Sequence, residues 1–92
     1  MRYSSFALGF REMGTAVTIT LQGTEANVKL MDDVNFSKYR AGGKHTFYGG
    51  HYKQSPVHLT VPHVGTWHVT VDLGGYAGSV RAAVNVVAPG PR

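Results

Sequence analysis

Side chains on a β-strand point alternately to its two faces, so a strand with one face in a core and the other in water alternates apolar and polar residues. That pattern recurs along this chain, and it leaves little room for anything but a layered β-fold. In AVTITL, Val17, Ile19 and Leu21 fall on one face and Thr18 and Thr20 on the other; in NVKL, Val28 and Leu30 oppose Asn27 and Lys29. VHLTV sends Val57, Leu59 and Val61 inward and His58 and Thr60 outward. TWHVTVDL buries Trp67, Val69, Val71 and Leu73 and leaves His68, Thr70 and Asp72 outside, and SVRAAVNVV buries Val80, Ala82, Val84 and Val86. Valine and threonine suit these positions because β-branched side chains lose little freedom on a pleated strand. Trp67, the single tryptophan, is the largest core anchor.

The alternation breaks at DDVNFSKYRAGG, which carries helix punctuation instead. Asp32 or Asp33 can cap the first amides, Lys38 and Arg40 sit at the negative end, and Gly42 or Gly43 can stop the helix. One or two turns are expected, with Phe36 and Tyr39, three apart, packing down. Two glycine clusters read as turns. Gly49 and Gly50 in TFYGGHYK fit a tight hairpin that brings Tyr48 opposite His51. Gly74, Gly75 and Gly78 mark a longer turn that, if its flanking strands pair directly, sets Asp72 opposite Arg81 and His68 opposite Asn85. The expected fold is all-β: a small antiparallel β-sandwich or flattened, jelly-roll-like barrel of about seven strands with one short helix after Met31. It forms one domain over residues 1–88, followed by a flexible Pro- and Gly-rich tail at 89–92.

Nine Lys and Arg against five Asp and Glu give a formal charge of +4, and five histidines add to it as pH falls. Attraction to anions follows, but outside residues 38–53 the basic residues are scattered, which does not favour nucleic acid as the partner. There is no cysteine, so disulfides and thiolate chemistry are excluded. No apolar stretch approaches the roughly 20 residues of a membrane helix, and YSSFALGF is too interrupted for a signal-peptide core. A cytoplasmic location with no membrane association is the expectation.

Residues 38–53 interleave Lys38, Arg40, Lys44 and Lys53 with Tyr39, Phe47, Tyr48, Tyr52, His45 and His51. Aromatic faces stack on rings and cations neutralise phosphate, so Arg40, Lys44, His45, Tyr48, His51, Tyr52 and Lys53 form the candidate ligand surface, although some of these rings must also serve the core. His58, His63 and His68 are the candidate metal ligands, since closure of a hairpin around residues 62–65 would bring the strand histidines to one outward face beside His63. No carboxylate lies nearby in sequence to complete such a site. No glycine-framed serine and no phosphate-binding loop appear, and Asp32 and Asp33 are placed to cap amides. No enzyme and no cofactor is expected.

ANVKLMDDVNFSKYRAGGKHTFYGG and, after it, SPVHLTVPHVGTWHVTVDLGGYAGSVRAAVNVV resemble an uncharacterised, mainly proteobacterial domain-of-unknown-function family, over about residues 3–87. Members of such a family occur alone or joined to a Toll/interleukin-receptor (TIR) domain, and the resemblance implies a sensing or interaction role beside an effector. The expected function is a non-catalytic binding or sensing module for an anionic small molecule or a protein. The alternatives are a self-associating structural domain and, remotely, a zinc-dependent hydrolase.

Overall fold

The computed structural model describes residues 2–90. Within them run β1 (Tyr3–Arg11), β2 (Ala16–Gly23), β3 (Ala26–Asp32), α1 (Asp33–Arg40), β4 (Tyr48–Tyr52), β5 (Val57–Thr60), β6 (Gly65–Asp72) and β7 (Val80–Val87). The strands form a four-stranded sheet ordered β1-β6-β3-β4 and a three-stranded sheet ordered β5-β2-β7. Every neighbouring pair is antiparallel. The expected all-β sandwich with one short helix is thus the observed architecture. Residues 89 and 90 of the expected tail are described, while Pro91 and Arg92 lie outside the described residues.

The alternating apolar residues make one core between the sheets. Val17 and Ile19 of β2, Val28 and Leu30 of β3, Val57 of β5 and Trp67, Val69 and Val71 of β6 are buried together. Trp67 is 1% exposed, and its indole N–H donates to the His63 carbonyl at 3.0 Å, so its one polar atom is satisfied. The short helix also forms as its punctuation predicts. Asp32 caps it by accepting from the Asn35 amide at 3.0 Å. It ends in a Schellman motif: the Gly42 N–H donates to Tyr39 and the Gly43 N–H to Lys38, with Gly42 at φ +79°.

Three pairing expectations are corrected. β6 and β7 do not form a hairpin, because residues 73–79 carry the chain from one sheet to the other; Asn85 faces Thr18 and Arg81 faces Gln22 on β2. β5 and β6 are likewise in different sheets, which parts His58 from His68. Gly49 and Gly50 are not a turn but lie inside β4, opposite Lys29 and Val28. Gly49 is needed there for φ +139° and because a Cβ would collide with the Val28 carbonyl oxygen. The outward residues of β6 are corrected too: Thr70 and Asp72 are buried. The helix supplies a third layer on the outer face of the four-stranded sheet, and Tyr39 lies over them.

Trp67→Ala should destabilise the domain by about 3–5 kcal/mol in chemical denaturation, since cavity and transfer losses add. Gly49→Ala should cost roughly 2 kcal/mol or more, whereas Gly50→Ala, whose Cβ would meet open space, should stay within about 1 kcal/mol.

Candidate functional site

Strand alternation divides the residues of the candidate ligand surface. On β4, Tyr48 and Tyr52 turn inward opposite Leu30 and Ala26; the Tyr48 ring lies 6.1 Å from that of Trp67, and Tyr52 packs against the core. His51, between them, points to the opposite face. Arg40 is exposed at the last position of α1, its guanidinium 5.6 Å above the Phe36 ring. Lys44 and Lys53 are exposed in the segments before and after β4. His45 is half-buried under the helix, where its ring meets Tyr39 edge-on at 5.1 Å.

What does converge is a polar row across the outer face of the four-stranded sheet. Tyr3, Asp72, Asn27 and His51 are cross-strand neighbours on β1, β6, β3 and β4. Asp72, 3% exposed, accepts from Asn27 Nδ2 at 2.9 Å and the Gly74 N–H at 2.8 Å on one oxygen, and from the Tyr39 hydroxyl at 2.7 Å on the other. Burial pushes its carboxyl upward, but these donors and the nearby Lys29 charge outweigh it and hold the group below its usual 3.8. Tyr39 is pushed the other way, well above an ordinary phenol, by burial and then by its bond to Asp72. The buried Thr70 hydroxyl beneath it has no hydrogen-bond partner, although it lies close enough to oppose that rise.

Donor and acceptor roles propagate outward from Asp72. Because Asn27 gives its amide hydrogens to Asp72, its carbonyl oxygen faces His51, and His51 Nδ1–H donates to it at 3.0 Å. The other ring nitrogen faces Glu25 Oε1 at 3.3 Å. One row along, Lys29 can only donate, so His45 Nε2 accepts from its ammonium at 3.1 Å and His45 Nδ1–H donates to the Gly43 carbonyl at 3.0 Å. The ammonium also lies 4.6 Å from the Phe47 ring centre and 5.1 Å from that of Tyr39. An aromatic cage is therefore present, but the chain's own lysine fills it.

The three histidines of the metal reading are not brought together. His58 lies on the three-stranded sheet, 3.4 Å from the Thr18 hydroxyl. His63 rides the β5–β6 turn with Nε2 3.9 Å from Asp32, and His68 stacks on Phe36 at 4.1 Å while meeting Asp33 at 2.9 Å. Among the described residues no cluster of three or more His, Cys, Asp or Glu could hold a metal ion. For His58 the reason is topological: β5 and β6 belong to different sheets. His51, His63 and His68 instead each face a carboxylate, those of Glu25, Asp32 and Asp33. Burial pushes the Asp32 carboxyl upward, but the Asn35 hydrogen bonds, then His63 and Lys38, outweigh it and hold the group below its usual value.

The Asn27, Lys29, Tyr39 and Asp72 constellation escaped the sequence reading, although Asn27 and Lys29 share the outward phase of NVKL and Asp72 is the lone acid of its strand. Beside it, residues 73–79 border a cleft of about 640 Å³ lined by Thr24, Glu25, His51, Leu73, Tyr76 and Ala77. This loop is pinned: the Thr24 N–H and hydroxyl both donate to the Ser79 carbonyl, at 2.9 and 3.0 Å. Gly78, at φ +145°, packs so closely on Thr24 that a Cβ would lie 2.8 Å from its Oγ1. Tyr76 is 82% exposed on this anchored loop. The arrangement can receive a group beside an exposed aromatic, an imidazole and a carboxylate.

A depressed carboxyl stabilises the native state fully above its unfolded value near 3.8, and that stabilisation is lost as pH falls through the lower folded value. Asp72→Asn should therefore lower stability at neutral pH and flatten the decline below pH 3.8, as read by denaturant unfolding along a pH series.

No helix among the described residues is long and apolar enough to cross a membrane. No curated protein and no solved structure matches the chain. One family model does, over residues 1–90, and the chain accordingly belongs to the family described as Domain of unknown function (DUF1883).

Proposed function

We propose that this domain is a non-catalytic binding or sensing module whose cationic face, formed by Lys38, Arg40 and Lys44, engages an anionic small molecule or an acidic protein surface. One observation carries the reading. Histidines face three of the carboxylates, Asp72 is bound by neutral donors, and among the described residues no Lys or Arg lies within 4.0 Å of a carboxylate. Arg40 and Lys44, unpaired with any carboxylate, keep their field for an external anion, and Lys38, whose charge is felt by Asp32 without a close ion pair, adds to it.

Lys38 and Arg40 project from the last turn of α1, and Lys44 follows the Schellman turn that folds the loop back on the helix. Arg40 gains orientation from the Phe36 ring beneath it. His51 and Tyr76 extend the surface toward the glycine loop. These residues hold charge and stack on rings; none makes or breaks a bond. The implied occurrence of related domains beside TIR domains supports an interaction role, in a bacterial and cytoplasmic setting.

Titration with polyphosphate as the probe, followed by calorimetry at two salt concentrations, tests this. Binding should weaken with salt, and the K38E/R40E/K44E variant should bind at least about tenfold more weakly, since a charge-assisted hydrogen bond contributes about 1.5–3 kcal/mol. Equal affinities for the variant and the parent would overturn the assignment of this face.

A further inference from the structure

A sandwich of two open sheets has four edge strands, each with a row of unpaired amides and carbonyls that can template another strand. Three are blunted here. β1 has a bulge between Ala7 and Gly9, β4 is only five residues with two glycines, and β5 has four residues and lies between Pro56 and Pro62. β7 has none of these devices. Its eight residues pair with β2 in an unbroken register, contain neither Gly nor Pro, and carry one charge, Arg81.

The packing under β7 is also incomplete. Of the inward residues of its neighbour β2, Val17 and Ile19 are buried and Leu21 partly so, whereas all four of β7, Val80, Ala82, Val84 and Val86, are only partly buried. On the same side a cleft of about 500 Å³ opens between the starts of β1 and β7, with Val71 and Val80 in its lining. Apolar side chains of the core face are thus left in contact with water along this edge.

We propose that β7 is a self-association edge, at which two copies of the chain pair antiparallel about a twofold axis and join their three-stranded sheets into one. The strand is complementary to itself. Residues opposite each other in an antiparallel pair share a face, so apolar must meet apolar, and the axis must pass through a residue. The two registers with the greatest overlap centre on Val84, setting Arg81 opposite Val87, or on Ala83, setting Arg81 opposite Asn85. Both keep the arginine away from its copy, and both bring the partly buried valines of one chain against those of the other.

Arg81 apart, the outward residues beside the seam, Ala83, Asn85 and Val87 on β7 and Ala16, Thr18 and Thr20 on β2, are uncharged, so the only charge in the seam is an arginine that neither register sets against its copy. The proposal is independent of the cationic face, which lies on α1 over the other sheet.

The test is sedimentation equilibrium of the full chain over a wide concentration range. Ala83 is exposed on the outer face, so a charge there should leave the monomer folded, which circular dichroism checks. The parent chain should show a dimer mass; A83K and A83D should each sediment as monomers, because like charges then meet opposite or diagonally across the seam. An equimolar mixture of the two should recover the dimer mass. A parent that is monomeric throughout, or a dimer that neither substitution weakens, would overturn the proposal, while polyphosphate binding by the same variants reports separately on the cationic face.

Discussion

The arrangement on the outer face of the four-stranded sheet depends on one buried carboxylate. Asp72 sits at the end of β6 with three hydrogen bonds: one from the neighbouring strand β3, one from the helix above it and one from the loop that follows. A charge removed from water is tolerated only when its lone pairs are satisfied, so these donors are fixed together with it. Helix α1 is thereby fastened to the sheet by a polar bond through Tyr39 as well as by the packing of Phe36 on His68.

The same carboxylate orders the side chains around it in sequence. It turns Asn27, Asn27 turns His51, and His51 meets Glu25 at the rim of the glycine-loop cleft. Beside this row, Lys29 is spent internally on His45 and two rings, which explains why an aromatic cage within a basic domain is not open to an outside cation. Lys38 and Arg40 stand exposed in the last turn of the helix, where the helix dipole favours positive charge. Local stability and a cationic surface are consistent there.

Much of the architecture was legible in the chain. Alternation identified the inward residues Val17, Ile19, Val28, Leu30, Val57, Val61, Trp67, Val69 and Val71, all of which are buried. Capping residues identified the helix and its closing glycines because such signals act within a few residues of one another. The candidate surface was legible only in part. Tyr48 and Tyr52 were grouped with His51 by composition, yet a strand sends them to the opposite face, and Gly49 looked like a turn although its positive φ serves an in-strand close approach.

The sequence by itself determined which side chains share a strand face, since the pleat has period two whatever strand lies alongside. Only the tertiary structure decided which strands are neighbours, because that depends on the paths of loops such as residues 73–79, and the same alternation satisfies a partner in either sheet. It also decided that an outward row could be dry. Thr70 and Asp72 occupy solvent positions by phase, and a helix from elsewhere in the chain covers them. Loop paths likewise took His58 away from His68, through a change of sheet between β5 and β6 that no local pattern encodes.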